Sequence, residues 1–569
     1  MIVMSESCAA GAVKMPKAPK PLPGSRFTAL KAIQVALLLV SAIFLGLHVL
    51  HLRADFPNHS PWMDWSKYTD EGWYGDAAIR HFQRGHWYVP GDFNPAAALP
   101  VWPLLESAVF RFTGVGVVPA RALTVGIFAL ILFATWFLVR RWQQLAPSSN
   151  QPRTPSLAPA IAVLLLAVSP FCYAFTRLAI LEPTLIFLTL LALIAASYAE
   201  PRQGSSWRDH LRHLLPTLAL GLLLPLMVLA KTTAIFLLPA IAWLLWARAG
   251  YRLRPFLALG LPPAFMAAIL WFSYYSLIVH PHFLSDYQYL FSANAYTGIT
   301  SDNAPSVLRD TIVDGQWIGP ILYPCALLAI VIVLFINQRL LRNPLIPALI
   351  LWAAGYAFFL AYHNNLQPRY YLVVAIPLTL LVAIVFESIW RQRIIAPIHH
   401  LAAGLAVAAL AVIFVSDARH TIHYVRTPEY TFARAASEIH DIVAADRTHN
   451  PLVLSISGSN LSLMTGLPSI CDDFGTMDLA VRVRAYQPGW YVTWNQIDDD
   501  KMDALAPLYH LRRVAAFPAM DDPERNLLIL YRLDPASPDT PHRPHHRRPI
   551  PRLLQTSLGQ QPSPIQLEH

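Results

Sequence analysis

The sequence predicts an α-helical membrane protein with about eleven transmembrane helices and a small α/β domain near the C-terminus. Three observations indicate this fold class. The 569 residues are 55% hydrophobic and only 14% charged, whereas about a quarter of the residues of a soluble protein are charged. Long apolar runs recur between residues 29 and 416. From residue 417 to residue 534 the composition changes to that of a soluble domain.

Each apolar run can form a transmembrane helix, because about 20 helical residues cross the hydrocarbon and pair their backbone groups internally. The first run has no convincing small-residue cleavage site, which favours an uncleaved span over a signal peptide. The run 99–113 is short and contains Glu106 and Arg111, so it is expected to lie at the interface. The predicted spans are 29–50, 118–139, 157–175, 182–198, 213–230, 232–248, 255–279, 317–337, 345–362, 370–389 and 397–416.

The positions of basic residues predict which loops face the cytoplasm, because Lys and Arg concentrate in short cytoplasmic loops. We place the basic N-terminus, residues 1–28, inside the cell. The loops that contain arginine pairs or triplets then all fall inside, provided that 99–113 does not span. The first loop, 51–117, and the C-terminal domain face outside. The other loops expected outside are 176–181, the turn at Lys231, 280–316 and 363–369.

The domain at 417–534 shows both helical and strand patterns. An amphipathic helix is predicted at 427–446, and a second helix at 499–508. Residues 451–458 are predicted to form a short buried strand that leads into a turn at Ser459-Asn460. Further strands are predicted at 490–494, 511–517 and 526–533. The final segment, 535–569, is rich in Pro, His and Arg, and we expect a solvated basic tail rather than a metal site.

The overall charge and the cysteines narrow the range of functions. The 43 Lys and Arg exceed the 34 Asp and Glu, and in a membrane protein this excess is typical of cytoplasmic loops, so nucleic acid is not an expected partner. The four cysteines are widely scattered and lack metal-ligand spacing. The lipid bilayer is the one partner that the composition alone predicts.

Ionisable residues near the ends of spans form the candidate site. Charged groups at a membrane boundary are costly and are usually retained for a pathway or a site. On the predicted topology these residues share the outer face, where carboxylates and cations together suit an anionic ligand and a reacting hydroxyl. They are Asp70, Glu71, Arg177, Glu182, Lys231, His363 and Arg369.

Each candidate also has a simpler structural interpretation. Asp70 follows Thr69 at the start of a plausible helix and would stabilise that helix N-terminus by about 1 kcal/mol. Glu182 precedes Pro183, where a helix can also begin. Lys231 and Arg369 are at span ends, where long basic side chains extend towards the interface. Their outer location runs against the usual cytoplasmic bias of basic residues, which favours ligand binding. His363 alone is typical of a loop residue.

Four segments resemble the GT-C glycosyltransferases that use polyprenyl-phosphate sugar donors, especially protein O-mannosyltransferases and lipid A aminoarabinose transferases. They are Asp-Glu-Gly-Trp-Tyr at 70–74 with Arg-Gly-His-Trp-Tyr-Val-Pro at 84–90, Arg-Leu-Ala-Ile-Leu-Glu-Pro at 177–183, Leu-Ala-Lys-Thr-Thr at 229–233 and Gln-Pro-Arg-Tyr-Tyr at 367–371. The segments fall within 29–390, and their order and common outer side carry the resemblance.

The resemblance implies an enzyme that moves a sugar from a lipid phosphate carrier to an acceptor on the extracytoplasmic face of the cell membrane. Asp70 matches the family's first-loop aspartate, which acts as a general base or as a carboxylate that orients the acceptor, and Glu71 is its partner. Lys231 and Arg369 match positions near the donor phosphate. The substrate-binding residues predicted around them are Arg177, Glu182, His363, Tyr74 and Tyr370.

The resemblance leaves the substrates open. The Glu-Lys-Pro of the aminoarabinose transferases has no counterpart in Asn94–Pro100, and the β-trefoil insert of the mannosyltransferases is absent. The acceptor is therefore a glycolipid, a glycan or a protein.

No cofactor is required by the sequence; a divalent metal would suit the acid pair, but no ligand spacing demands one. The alternatives are a flippase or transporter of lipid-linked sugars, which predicts charges inside several spans and inverted repeats, and a polysaccharide ligase or polymerase.

Overall fold

The computed structural model describes residues 24–145, 155–201, 207–293, 299–363, 366–391, 397–456 and 458–536. The predicted N-terminal segment up to residue 23 and the predicted tail from residue 537 lie outside these residues. The described chain forms a bundle of helices, followed by a small domain with one five-stranded sheet.

Seventeen helices precede the small domain in the described residues. The first eight are α1 (Gly24–Val49), α2 (Asp70–Arg84), α3 (Val101–Thr113), α4 (Val117–Leu145), α5 (Ala158–Val168), α6 (Pro170–Phe175), α7 (Leu181–Tyr198) and α8 (Trp207–Ala230). The others are α9 (Leu238–Arg248), α10 (Leu253–Tyr274), α11 (His280–His282), α12 (Leu284–Ala293), α13 (Ala304–Val313), α14 (Leu322–Val331), α15 (Leu345–His363), α16 (Tyr371–Arg391) and α17 (Pro397–Arg426).

The predicted membrane spans correspond to helices of the structure. Seven described helical segments are long and apolar enough to cross a membrane, and four shorter apolar helices, at Ala158–Val168, Leu214–Ala230, Thr232–Arg248 and Leu322–Ile336, account for the remaining predicted spans. The chain is therefore an α-helical multi-pass membrane protein, as the composition predicts. Helix α17 continues beyond the predicted end at 416 as far as Arg426.

Helix α3 has the character expected of an interfacial helix. Its 13 residues are too few to cross the hydrocarbon, which takes about 20. The apolar side chains of Leu104 and Phe112 are exposed on it, whereas Glu106 is buried. The helix therefore exposes apolar side chains, buries Glu106 against the protein and leaves Arg111 exposed.

In its described residues, the C-terminal domain contains four helices and five strands. They are α18 (Thr431–Ala445), β1 (Val453–Ser455), α19 (Gly458–Thr465), β2 (Ser469–Cys471), α20 (Leu479–Tyr486), β3 (Trp490–Trp494), α21 (Asp499–Leu505), β4 (Tyr509–Pro518) and β5 (Leu527–Pro535). The strand order is β2-β1-β3-β5-β4. Strands β2, β1 and β3 are parallel, and β5 and β4 form an antiparallel hairpin beside β3.

Helices cover both faces of this sheet. Alternate residues of a strand point to opposite faces, and in β3 both sets of side chains pack against helices. Trp490, Val492 and Trp494 of β3 share one apolar cluster with α18 and α19. Tyr491 shares the other with α20 and α21. The domain is thus the predicted small α/β domain, and its sheet is buried on both sides.

The predicted turn at Ser459-Asn460 is wrong, since both residues belong to the first turn of α19. Ser and Asn favour turns and helix N-termini alike, because their short polar side chains bond to nearby backbone groups. Helix α19, strand β2 and helix α20 were also absent from the prediction. Strand β2 has only three residues, so period-2 alternation is too short to detect there.

Candidate active site

Helix α2 places the first predicted residue, Asp70, at its N-terminus. Asp70 and Glu71 occupy the first turn, where negative charge is stabilised by the helix dipole. The helix ends at Gly85, whose φ of 79° is the left-handed conformation that glycine adopts easily. The N-cap position itself belongs to Thr69, and no side-chain capping hydrogen bond is formed there, so Asp70 can favour the helix N-terminus through its charge alone. The Thr69 hydroxyl donates to Asp70 Oδ1 over 3.1 Å.

Arg369 binds two carboxylates of the first loop. Its Nη1 lies 2.6 Å from Asp64 Oδ1, and its backbone N–H donates to Asp64 Oδ2 over 2.8 Å. Its Nε lies 3.0 Å from Asp70 Oδ2, in a charge contact that lacks hydrogen-bond geometry. All three side chains are buried. Arg369 therefore joins the start of α16 to both ends of the segment 64–70.

Lys231 and Glu182 form a second ion pair beside the first. Glu182 is in the first turn of α7, and Lys231 follows the last residue of α8. Both cations contact the Tyr370 ring: Lys231 Nζ is 4.3 Å and Arg369 Cζ is 4.5 Å from its centroid. The predicted phosphate-binding residues are thus neighbours, although they come from distant parts of the chain.

The cluster contains three carboxylates, Asp64, Asp70 and Glu182, and two cations. Among the described residues, no hydrogen bond is donated to Asp70 Oδ2 or Glu182 Oε2. Burial raises the pKa of Asp70; the charge of Arg369 opposes this rise, and the charges of Asp64 and Glu182 add to it. Asp70 Oδ2 accepts no hydrogen bond but is held in the charge contact with Arg369, so it could accept a proton only when that contact loosens.

Tyr74 borders the same cluster. It is one turn beyond Asp70 on α2, so the two side chains share a helix face, and Tyr74 is half-buried. Burial raises the pKa of Tyr74 well above its ordinary value, and the negative charge of Asp70 raises it further. Its hydroxyl therefore stays protonated and is available as a hydrogen-bond donor.

Glu71 does not join the cluster. Its carboxylate receives two hydrogen bonds from Arg121 of α4, from Nε over 2.7 Å and from Nη2 over 2.6 Å. The backbone N–H of Ala179 also donates to it, over 3.0 Å. The predicted catalytic partnership of Asp70 and Glu71 finds no support in this geometry, because neighbouring residues on a helix point about 100° apart. Glu71 instead ties α2 to α4 and to the loop before α7.

Arg177 and His363 also lie apart from the ion pairs. Arg177 donates to the carbonyls of Leu50 (2.9 Å) and His51 (2.5 Å), at the end of α1. His363 stacks on Phe359, with ring centroids 5.4 Å apart, and Phe359 contacts the ring of Tyr370. Arg177 therefore holds the end of α1. His363 reaches the cluster indirectly, because Phe359 lies between its ring and the ring of Tyr370.

Sequence reasoning missed Asp64 and Tyr356. Asp64 accepts both bonds from Arg369, but 305 residues separate the pair, and no local pattern links them. The Tyr356 hydroxyl lies 3.3 Å from the Thr233 hydroxyl, close enough to Glu182 for the two groups to interact electrostatically. The candidate residues were ionisable groups at the ends of predicted spans. Asp64 lies within the first loop and Tyr356 lies within a span, so neither fits that pattern.

Among the residues that the structure describes, no three His, Cys, Asp or Glu side chains are arranged so that they could hold a metal ion; the three carboxylates of the cluster each contact a cation instead. The divalent-metal alternative therefore gains no ligand set from them.

Comparisons with known proteins give matches only among solved structures. No protein-family model and no curated protein matches the chain. ArnT from Cupriavidus metallidurans in the apo state matches with 14% identity and a TM-score of 0.49, over 88% of this chain and 98% of that one. ArnT bound to undecaprenyl phosphate matches with 15% identity and a TM-score of 0.48, over 88% of this chain and 98% of that one.

The archaeal oligosaccharyltransferase AglB from Archaeoglobus fulgidus, in complex with an inhibitory peptide and a dolichol-phosphate, matches with 13% identity and a TM-score of 0.46. That match covers 90% of this chain and 75% of AglB. Lipid phosphates are the ligand class that the sequence resemblance implies for this chain.

Proposed function

We propose that the protein is a membrane glycosyltransferase that transfers a sugar from a polyprenyl-phosphate carrier to an acceptor hydroxyl or amide at the extracytoplasmic face. The observation that carries this proposal is the buried cluster in which Asp70 meets Arg369 and lies beside the Glu182–Lys231 pair. The acceptor class is a glycolipid, a glycan or a protein.

The location of the cluster suits a lipid-linked donor. Lys231 follows the end of α8, whereas Glu182 and Arg369 are at the starts of α7 and α16. Their contacts therefore bring these three helix ends to the same side of the bundle. A lipid phosphate places its headgroup at a membrane surface and its chain among apolar helices. The residues that would bind the phosphate lie at the ends of such helices.

The chemistry needs one base and an anionic leaving group. Asp70 takes the proton of the acceptor while the acceptor heteroatom forms a bond to the anomeric carbon. The bond from that carbon to the phosphate oxygen breaks, and its electron pair leaves with the phosphate. Because attack and departure occur on opposite faces of the sugar, the anomeric configuration inverts. A phosphate departs as an anion and needs no general acid.

Lys231 and Arg369 would stabilise the charge that develops on the leaving phosphate. Their positive charges are already fixed by carboxylates, so little reorganisation is required when the negative charge shifts onto the phosphate. Binding of an anion would loosen the contact of Arg369 with Asp70, since both anions compete for one guanidinium. That loosening would free Asp70 Oδ2 for the acceptor.

The test uses purified protein in lipid nanodiscs with radiolabelled polyprenyl-phosphate sugars and a membrane extract as the source of acceptors. The wild type should release polyprenyl phosphate. Asp70→Asn should reduce kcat by about 10² or more, because a positioned base contributes about 10²–10⁴. Lys231→Met should reduce kcat to a similar extent by removing charge stabilisation.

Glu200→Gln is a matched control for charge and should retain full activity, since Glu200 pairs with Arg248 beyond the opposite end of α7 from Glu182. Turnover in Asp70→Asn equal to that of the wild type would refute the role of Asp70. Transport of the lipid-linked sugar without release of polyprenyl phosphate would refute the transferase and indicate the flippase alternative.

A further inference from the structure

The carboxyl edge of the parallel strands in the C-terminal domain is occupied by the first loop. The chain passes from β1 to β2 on one side and returns to β3 on the other side, so β1 and β3 flank a topological switch point. Open α/β sheets commonly bind their ligands at such a point. Here helix α19, which follows β1, packs against α2 instead.

Gly72 allows the two helices to approach closely. A Cβ atom at Gly72 would overlap the backbone of Asn460 in α19. Asn460 Nδ2 in turn donates to the carbonyl of Tyr68, just before α2, over 3.0 Å. The first turn of α19 therefore contacts the backbone on both sides of Asp70, at Tyr68 and at Gly72.

Helix α2 also supplies a carboxylate to the N-terminus of α19. The Ser459 hydroxyl donates to Asp76 Oδ1, and both residues are buried. A helix N-terminus favours a negative charge, and in many α/β domains this charge belongs to a bound ligand. In this protein it belongs to α2 itself.

A chain of buried charges continues from Asp76. Asp76 Oδ2 lies 2.7 Å from Arg80 Nη1, and Arg80 Nη2 lies 2.6 Å from Asp92 Oδ2. Asp92 Oδ1 receives a hydrogen bond from Arg482 of α20 over 3.0 Å. All four residues are at least 96% buried, so little water is available to replace a lost contact. Both α19 and α20 thus bind carboxylates of the first loop: α19 binds Asp76 through Ser459, and α20 binds Asp92 through Arg482.

The hairpin of β4 and β5 contacts the beginning of the segment 64–76, near Asp64. Its tip contacts the residues that directly follow Asp64: the Tyr68 hydroxyl donates to Asp522 Oδ2 over 3.1 Å, and Arg525 Cζ lies 3.7 Å from the ring centroid of Trp65. Asp64 is the residue that binds Arg369. The domain therefore contacts the segment 64–76 at its beginning, middle and end.

We propose that the C-terminal domain positions the catalytic helix, with Ser459 and Arg482 acting as positioning residues for Asp70. This inference rests on the proposed function. Six residues separate Asp76 from Asp70, about 9 Å along a helix, so a change in the tilt of α2 at Asp76 moves Asp70 directly. A displacement of about 1 Å in a reacting group can reduce a rate by about 10².

The experiment compares three variants of the full-length protein in nanodiscs. Ser459→Ala removes the hydrogen bond to Asp76, and Gly72→Ala forces α19 away from α2. Gly126→Ala is the matched control, because a Cβ atom there meets no neighbouring atom within 4 Å. We expect kcat to fall about tenfold or more for the first two, with the KM of the donor changed less than about twofold. Gly126→Ala should match the wild type.

Hydrogen–deuterium exchange of α2 tests the contact without any substrate. Backbone amides of Gly72–Arg84 should exchange faster in Ser459→Ala, while exchange in α4 and α16 stays unchanged.

If α2 exchange and kcat in both Ser459→Ala and Gly72→Ala equal those of the wild type, the inference is wrong. If α2 exchanges faster but wild-type protein never releases polyprenyl phosphate, the proposed function fails and the positioning contact stands. General unfolding would appear instead as faster exchange in every helix and would also refute a specific positioning role.

Discussion

Asp70 is a buried carboxylate whose charge state depends on its immediate neighbours. Burial raises its pKa, Arg369 counteracts that rise, and Asp64 and Glu182 strengthen it. A general base must be ionised to act, so activity is lost as the pH falls through its pKa. We therefore expect the acidic limb of the rate profile above the ordinary carboxyl range.

Glu182→Gln should move that acidic limb to lower pH. The substitution removes a negative charge near Asp70 and leaves the positive charge of Lys231 unbalanced, and both changes favour the ionised form of Asp70. The measurement is kcat/KM between about pH 4 and pH 8, a range that brackets a carboxyl pKa raised above its ordinary value. Glu200→Gln serves as the control and should leave the profile unchanged. A limb that stays in place or moves to higher pH in Glu182→Gln would contradict the electrostatic account.

For individual residues of the site, the sequence identified ionisable groups at span ends but not the directions of their side chains. Asp70, Glu182, Lys231 and Arg369 do form one cluster. Glu71 is as acidic as Asp70 and directly adjacent to it, yet it faces Arg121. Its direction depends on where α2 packs in the bundle, and that packing involves residues too distant in sequence to leave a local pattern.

Helix α2 is tied to the bundle by the Glu71–Arg121 pair. Arg121 also donates to the carbonyls of Leu52 (2.9 Å) and Ala54 (2.5 Å), so one guanidinium joins α4, α2 and the chain after α1. Both charged groups are buried. Removing one partner leaves the other charge without compensation in a region that excludes water.

Arg121→Met should therefore destabilise the protein by about 3–5 kcal/mol. The double variant Glu71→Gln/Arg121→Met should recover much of that loss, because it removes both charges. Reversible unfolding in mixed micelles would measure the four members of the cycle. Arg248→Met, which removes a partner of the partly exposed Glu200, should cost no more than about 1 kcal/mol. Additive effects of the two substitutions at Glu71 and Arg121 would show that the pair does not act as a unit.

Elements were predictable in proportion to their length. Each span contains enough apolar residues to be recognised without knowledge of its neighbours. The eight residues of α19 are different, because its first turn is completed by Asp76, a residue of another helix. A short element stabilised by a distant partner shows only its local preferences in the sequence.

The arrangement of helix ends fixes the site at one side of the whole molecule. The contacts of Asp70, Glu182, Lys231 and Arg369 require that the ends of α2, α7, α8 and α16 that carry them meet. Loop charge predicts that this side is outside the cell. Residues of the loop between α12 and α13 should share that side, whereas those between α14 and α15 should not.

Cysteine labelling in intact cells tests this orientation. Cys8→Ser and Cys325→Ser leave only Cys172 and Cys471, which are both buried. In that background Ser301→Cys should react with an impermeant maleimide added outside. Gln338→Cys should react only after the membrane is permeabilised. Both substituted positions are exposed. The reverse pattern would place Asp70 in the cytoplasm and would contradict the extracytoplasmic reaction.

The contact between α2 and α19 also bears on how the protein matures. Ser459 and Asp76 are 383 residues apart, and Arg482 and Asp92 are 390 residues apart. Chains fold from the N-terminus during synthesis, so the first loop exists long before its partners are made. Until α19 and α20 are made, Asp76 and Asp92 lack these partners, and α2 is held only by bundle contacts such as Glu71–Arg121. We therefore expect Asp70 to be fully positioned, and the enzyme fully active, only after the C-terminal domain has been synthesised.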